Sequence, residues 1–535
     1  MNIGSVTLDN VVTPSVALPG WRRRAEALAI SMIGGLLLAA ALRYPAAGPL
    51  LGIGWVVLAL PAVIERWRAP FLGWMPGHLL AFMYAHWPMA KFGWYVGVFF
   101  TAILTWNYVV AAILARVLVR RTRLPLVLVL PLALCAGEYL RPLGVGDCNM
   151  YQSGVFLYDY PILIQAADLI GSAGLSFLWT IPFAVAADWL RLRLDGVGCR
   201  RTLLRGVAAS VAVMAFLIGY GSWRLHHDDY TAGPRVAVIQ PSVDHTPEAT
   251  ADAVRVQTQM TVEAVAPGSA DLIVWPENAI LLPFETHKNF QDTVAFLTRT
   301  KSAPLLFGTQ ATGPDGRRPT CSAFVVDTEG KTVGRYDKVV LFPFTERRVL
   351  PSLEKIWPAA SDFVRQLTRR AWGSAPDGFS GSGGRTLSVP IASGPMPIWT
   401  PICYENNYPW LAREAARNGA EVFINITSEG WLGWAVSNNQ MAASVLRAVE
   451  SRVGMIRAGN TGPSCFILPD GRIDGFVRGK QGQLRLEPGT LIHTVVRGNG
   501  TPTIYARCGD WLDPLPLLTC VGLILASLWR QRARQ

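Results

Sequence analysis

Residues 396–405 read M-P-I-W-T-P-I-C-Y-E. Apart from Thr400 the run is apolar up to Cys403, and Tyr404 and Glu405 follow it. Pro409 then opens a helical pattern of Trp410, Leu411, Ala415 and Ala416, proline being well suited to the first turn of a helix. The pattern predicts Cys403 at a strand-to-helix junction. There a thiol faces solvent, and the free N–H groups of the following turn favour negative charge, which lowers a thiol pKa and stabilises an oxyanion. Most free cysteines are small buried hydrophobes, so a nucleophile at Cys403 needs partners elsewhere in the chain.

Further runs of strand character surround it. They are 235–240 (R-V-A-V-I-Q), 271–275 (D-L-I-V-W), 304–310, 421–426 and 454–458, with 323–327 and 332–336 flanking a Glu329-Gly330 hairpin signal. Helical patterns lie between them at 250–264, 290–300, 410–418 and 440–452. Strands alternating with helices predict an α/β layered domain. Residues 375–385, rich in Gly and Ser, read as a loop. Glu277 ends one strand in W-P-E-N, and Lys338 follows the hairpin in Y-D-K-V-V-L-F-P-F-T-E. With Cys403 they make three strand-end residues that converge if they share one rim of a sheet. Glu277 would then take the thiol proton, and Lys338 would lower the thiol pKa and hold an oxyanion. Taken singly, each of these two reads as a solvated loop carboxylate or a surface lysine.

The rest of the chain is of another kind. Of 535 residues 51% are hydrophobic and only 16% charged, with 19 Trp, against a usual charged share of about a quarter in soluble proteins. Apolar runs at 25–42, 50–64, 71–89, 94–117, 124–140, 162–190, 207–220 and 512–528 predict about eight transmembrane helices. No small-residue cleavage site follows the first run, which therefore reads as an uncleaved helix. The formal charge, 49 − 37 = +12, is concentrated in alternate loops. Arg22–Arg24, Arg66 and Arg68, Arg116 to Arg123, Arg191 to Arg205, and the closing Arg530, Arg532 and Arg534 are the basic ones. That alternation predicts both termini in the cytoplasm and residues 235–507 outside it. The expected layout is a membrane domain over 1–230, the α/β domain over 235–507, and a last helix with a basic tail over 510–535. A basic excess of this form marks cytoplasmic loops, and with no zinc-finger spacing or basic helix it excludes nucleic acid as a partner. The eight cysteines (135, 148, 199, 321, 403, 465, 508, 520) show no CxxC pair, no metal spacing and no disulfide framework, and the chain carries no cofactor fingerprint.

Taken together, W-P-E at Glu277, Y-D-K with P-F-T-E following at Lys338, and I-C-Y-E at Cys403 resemble the nitrilase superfamily with its Glu-Lys-Cys triad. With the membrane layout the resemblance narrows to the apolipoprotein N-acyltransferase family. Glu138-Tyr139-Leu140-Arg141, G-S-A-G-L-S-F-L from Gly171, R-A-V-E-S-R-V-G-M-I-R-A-G-N-T-G from Arg447, and L-P-D-G-R from Leu468 look like further family motifs. The resemblance implies an αββα fold, with Glu277 as base, Lys338 on the oxyanion and Cys403 as nucleophile. It implies Glu346 as a second carboxylate, with Tyr404, Glu405 and Trp431 supporting the site or binding substrate. It also implies a bacterial inner membrane with the catalytic domain on the periplasmic side, a phospholipid acyl donor and a lipoprotein acceptor. Departures from the family pattern fall in loops. The N-D-x-W-F-G loop reads S-E-G-W-L-G from Ser428, the downstream Q-H is Asn439-Gln440, the glycine after the first strand is Pro241, and no tryptophan stands in 243–251. A membrane-tethered C–N hydrolase and TraB-type conjugal-transfer proteins, which share triad and helices, are the competing classes.

Overall fold

The structure, a computed structural model, describes residues 20–67, 75–143, 149–227, 230–243, 250–278, 283–343, 345–347, 357–372, 377–482 and 484–533. The N-terminal part is helical: α1 (Gly20–Arg43), α2 (Leu50–Val63), α3 (Met75–His86), α4 (Trp94–Thr122), α5 (Leu126–Leu140), α6 (Pro161–Ile164), α7 (Ala167–Asp195) and α8 (Arg200–His226). Among the described residues each apolar run of the sequence carries a helix. Five helical segments among the described residues are long and apolar enough to cross a membrane, namely α1, α4, α5 with its following turn, α7 and α8, while α2 is shorter. Small residues let the helices close up. A Cβ on Gly35 of α1 would stand 2.3 Å from the Gly77 carbonyl oxygen of α3. Helix ends are capped from a distance: the α5 N–H groups of Leu126 and Val127 donate to Asp188 at 2.7 and 2.8 Å, answering donors that have no partner inside the helix.

The remainder folds as strands β1 (Thr231–Gln240), β2 (Leu272–Val274), β3 (Leu305–Thr312), β4 (Pro319–Val326), β5 (Thr332–Asp337), β6 (Leu387–Ile391), β7 (Gly394–Trp399), β8 (Val422–Thr427), β9 (Gly454–Gly459), β10 (Cys465–Ile467), β11 (Ile473–Phe476) and β12 (Gly489–Arg497). Between and after them lie α9 (Thr250–Ala264), α10 (Lys288–Lys301), α11 (Pro358–Trp372), α12 (Pro409–Arg417), α13 (Trp434–Ser451), α14 (Ile504–Cys508) and α15 (Leu515–Arg532). Two six-stranded sheets result, β12-β1-β2-β3-β4-β5 and β11-β10-β9-β8-β7-β6. Each has a parallel trio, β1-β2-β3 or β7-β8-β9, flanked by antiparallel strands.

Strand periodicity sorts the first sheet into two faces. Val236, Val238, Leu272, Val274, Leu306 and Val325 belong to the core shared with the second sheet. Ala237, Ile239, Ile273, Trp275, Leu305, Phe307, Phe324 and Val326 form a separate core with Phe290, Val294 and Leu297 of α10. The sheets therefore pack face to face with helices outside, the layered α/β arrangement that strand and helix alternation predicts. The second sheet is covered by α12 and α13, and α13 in turn lies against α1, α3 and α7.

Candidate active site

Glu277, Lys338 and Cys403 come from three separate strand ends and meet in one pocket of about 240 Å³, lined also by Asn278, Gln310, Phe342, Glu346, Ser428 and Leu432. Glu277 lies just past β2, whose exit is held flat against β3 by Trp275 N–H to Leu306 O (2.9 Å) and Gly308 N–H to Pro276 O (3.2 Å). The close approach requires glycine at 308. A Cβ there would stand 2.8 Å from both Glu277 Cα and Ile426 Cδ1. Lys338 leaves β5, fixed by its N–H to Cys321 O (2.9 Å) and by Gly381 N–H to its own carbonyl (2.8 Å).

Cys403 opens the 3₁₀ turn Cys403–Asn407, which precedes α12. Its φ is +55°, a left-handed conformation unusual for a residue with a side chain and the mark of an over-determined turn. Three buried groups do the determining. Asn425 Nδ2 donates to Cys403 O and Pro401 O, both at 3.0 Å. Asn406 Nδ2 donates to Gln440 O at 2.9 Å. Glu405 accepts from Val339 N–H (2.6 Å), Val340 N–H (3.0 Å), Ile402 N–H (2.7 Å) and the Tyr336 hydroxyl (3.2 Å). A single carboxylate thus fastens the chain after Lys338 to the chain before Cys403. Burial raises the Glu405 pKa to about 7, against the pull of those N–H donors.

At the centre Lys338 Nζ donates to Glu277 Oε1 at 3.0 Å and to Glu346 Oε1 at 2.8 Å, with Lys338 and Glu277 fully enclosed. The other oxygens are held too: Glu277 Oε2 accepts from Ser428 N–H (2.9 Å) and Glu346 Oε2 from Phe342 N–H (2.7 Å). Burial opposes the Lys338 charge, but the two carboxylates outweigh it and hold the ammonium well above its ordinary range. Burial lifts the Glu277 pKa, with Lys338 opposing. Burial likewise pushes the Cys403 thiol well up, Glu277 adding to the effect and Lys338 opposing it. The sequence-based expectation of a depressed thiol pKa is therefore not met in the resting site: desolvation exceeds the help of the lysine. Glu277, Cys321 and Glu346 bring ligand-type atoms within 4.8 Å of one another, a geometry that suits a cation, and the Lys338 ammonium already bonds both carboxylates there.

Tyr404 stacks edge-on against Phe342 (5.0 Å) and Tyr408 (5.5 Å), its hydroxyl donating to Leu341 O at 2.8 Å. Phe342 in turn stacks on Phe100 of α4 at 6.1 Å, so one wall of the pocket is continuous with a membrane-type helix. Trp431 lies in the turn Gly430–Leu432, and its side chain is outside the described residues. Gly433 closes that turn at φ +88°, where a Cβ would stand 2.7 Å from Pro88 Cγ. The S-E-G-W-L-G loop is thus pressed onto the turn after α3.

Sequence reasoning missed Asn425, Tyr336 and the Ser428 N–H as members of the site. A polar Asn425 inside the fully buried strand V-F-I-N-I-T was the available signal, since a buried amide must be hydrogen-bonded.

Residues 235–499 match the carbon-nitrogen hydrolase family, and residues 34–185 match the apolipoprotein N-acyltransferase N-terminal domain. The apolipoprotein N-acyltransferase of Geobacter metallireducens is 28% identical over 505 residues, covering 90% of this chain and 91% of its own. That of Bradyrhizobium diazoefficiens is 28% identical over 421 residues, 75% of this chain and 73% of its own. Among solved structures, an amidase from Nesterenkonia sp. AN1 aligns with 51% of this chain and 95% of its own at 17% identity and a TM-score of 0.33.

Proposed function

The chain belongs to the apolipoprotein N-acyltransferase family within the carbon-nitrogen hydrolase superfamily, and we propose that it moves a fatty acyl chain from a phospholipid, through a thioester on Cys403, to the N-terminal cysteine amine of a lipoprotein. The observation that carries this reading is the lysine bridge: Lys338 bonded to Glu277 and Glu346 beside Cys403 in one pocket. In the first half-reaction Glu277 takes the thiol proton as sulfur attacks the ester carbonyl, and Lys338 steadies the oxyanion. The ester C–O bond breaks, and the proton passes from Glu277 to the departing lysophospholipid alcohol. In the second, the lipoprotein amine attacks the thioester, the C–S bond breaks, and the amine proton returns through Glu277 to sulfur. Glu346 fixes the ammonium between the carboxylates. Glu405 and Tyr404 hold the turn that presents Cys403, and the Trp431 loop covers the pocket on the membrane side.

The same reading sets the cell location. The chain is a bacterial inner-membrane protein crossing about eight times, with the short helices α2, α3 and α15 completing the five long ones. The catalytic domain faces the periplasm, and both termini face the cytoplasm, as the basic loops require. The test is intact mass after incubation with phospholipid and no acceptor. A gain of one acyl group, removed by neutral hydroxylamine and missing in Cys403→Ser, is expected. Continuous release of free fatty acid with no adduct would make water the acceptor and the protein a hydrolase.

A further inference from the structure

Gln440, one of the departures from the family pattern, touches the reacting sulfur. Gln440 lies on α13, is fully buried, and its Nε2 stands 3.7 Å from Cys403 Sγ. Its backbone carbonyl accepts from Asn406 Nδ2 (2.9 Å) and from Ser444 Oγ (2.9 Å), so the helix and the Cys403–Asn407 turn are tied together at this residue. Its other amide atom, Oε1, is buried with no hydrogen-bond partner. The thiol proton is directed at Glu277, so an amide oxygen turned towards the sulfur would face a lone pair, whereas an N–H finds an acceptor there. The amide therefore presents its N–H to the sulfur. An N–H has more to gain from a thiolate than from a thiol, because a charged acceptor makes the stronger bond.

The groups around the sulfur make such a donor necessary. The charges of Glu277, Glu429 and Glu346 all weigh against a negative sulfur, and the Cys321 thiol is electrostatically linked to it as well. Against them stands the Lys338 ammonium, already divided between Glu277 and Glu346, while Arg457 is engaged by Glu429. The ionic surroundings thus lean against a second negative charge, and a neutral donor adds support without attracting a further carboxylate. Resting on the reading of Cys403 as nucleophile, we propose that Gln440 is a positioning residue for the thiolate: its side-chain N–H holds the sulfur in place and stabilises it once Glu277 has taken the proton.

The experiment is the pH profile of Cys403 alkylation by iodoacetamide in the full-length protein in detergent, followed by intact mass. It needs neither acyl donor nor acceptor, so it reads the sulfur independently of the acyltransferase assignment, which stands or falls on the acyl adduct. Gln440→Met keeps length and loses the donor. It is expected to slow alkylation at neutral pH about tenfold and to move the midpoint up by roughly one pH unit, one lost hydrogen bond to a charged group being of that size. Gln440→His restores an N–H and is expected to alkylate within about threefold of the parent. A Gln440→Met protein that melts like the parent and alkylates with the parent's profile would overturn the proposal. If Gln440→Met does not fold, Gln440→His decides alone: an unchanged profile supports the proposal, and a tenfold loss with the melting point intact overturns it.

Discussion

The first sheet hides its outer face under helices of its own domain, whereas the second hides its outer face under α12 and α13 and then under the membrane bundle. The strand plan is the same, and the cover differs in kind. Under the first sheet the filling is aromatic. Phe284, Phe290, Phe307 and Phe324 meet at ring distances of 5.0–5.9 Å, and α10 buries Phe290, Val294 and Leu297 at the spacing of one helix face. Under the second sheet α13 is buried on every side except at Trp434 and Asn438, and its polar residues are tied into networks. Arg447 pairs with Glu450 at 2.7 Å, and Arg452 pairs with Asp168 of α7 at 2.8 Å, while Glu450 also takes the Ser172 N–H of α7 at 2.9 Å. A helix squeezed between a sheet and a membrane bundle has no solvated face for its charges, so they must be paired inside. The family-like R-A-V-E-S-R and G-S-A-G-L-S-F motifs are the two halves of that joint. Gly171, at φ +67°, makes room there for the Tyr505 ring.

The candidate pocket straddles the two sheets, with Glu277 and Lys338 from the first and Cys403 from the second. The comparison breaks down if one sheet's contribution dominates turnover. Cys403→Ala and Lys338→Ala are expected each to lower the acyl-transfer rate by about 10³ or more, and the double variant no further, because groups acting as a unit lose activity non-additively. Acyl transfer assayed on the three purified proteins decides it. A Lys338→Ala protein with near-parental rate would confine the chemistry to the second sheet.

The next effects are on stability. Arg452→Ala removes one of two arginines from Asp168, leaving Arg224 at 2.9 Å and the Tyr220 hydroxyl at 2.9 Å, and is expected to cost about 1–3 kcal/mol. Phe307→Ala, fully buried, opens a cavity at a larger cost, about 3–5 kcal/mol. The consequences should differ. The first should loosen the domain from the helices and reduce transfer from membrane-embedded lipid, and the second should lower the melting temperature while leaving transfer near parental below it. Melting curves and transfer rates on the same samples separate the two. Equal loss of transfer in both would mean the joint has no special part.

Glu405 sharpens the comparison where the two sheets touch. Its pKa, raised by burial to about 7 from an ordinary 4.5, means the folded state holds a proton there that the unfolded state has released between these values. Its share of stability is therefore full below pH 4.5 and is lost as pH rises towards 7, on the order of 3 kcal/mol. Glu405→Gln, neutral throughout, should flatten that part of the stability-versus-pH curve. Denaturant midpoints from pH 4.5 to 7.5 measure it, and an unchanged slope would assign the pH dependence to other buried acids such as Glu277.

Much of this was legible from residue patterns alone. The helix 250–264 and the strands at 422–427 and 454–459 have the periodicity or β-branched content that local rules detect, and Glu277, Lys338 and Cys403 stand at strand ends marked by Pro276, the hairpin and Pro409. What escaped was decided at long range. Strand β12 is called into being by β1, about 250 residues earlier in the chain, through the register Val236↔His493 and Val238↔Leu491, and β6 by β7, the Pro390 inside β6 hiding its strand character. Helix α13 begins at Trp434, well before the polar stretch at Asn438-Asn439-Gln440 where its pattern becomes regular, because its partners are the membrane helices and not water. The thiol pKa failed for the same reason: sequence gives the lysine but not the degree of burial.

The smallest expected effect separates two cysteines that look alike in the sequence, Cys321 on β4 and Cys465 on β10. Both are buried, and burial pushes both thiols up, so both stay protonated. Cys321 Sγ lies 3.8 Å from Glu277 Oε1 and 3.4 Å from Asn278 Oδ1, close enough for a weak S–H contact with the base. The Cys465 sulfur meets the Met441 sulfur at 3.8 Å. Cys321→Ala removes one weak neighbour of Glu277, and the change in transfer rate should stay within about threefold, since weak donors contribute a fraction of an ordinary hydrogen bond. Cys465→Ala should leave the rate unchanged and cost only the packing of one sulfur. Rates across pH 6–9 are the measurement. If Cys321→Ala lost activity on the scale of Cys403→Ala, the first sheet would supply a thiol to the reaction as well as its acid–base pair, and the assignment of the nucleophile to the second sheet would have to be redrawn.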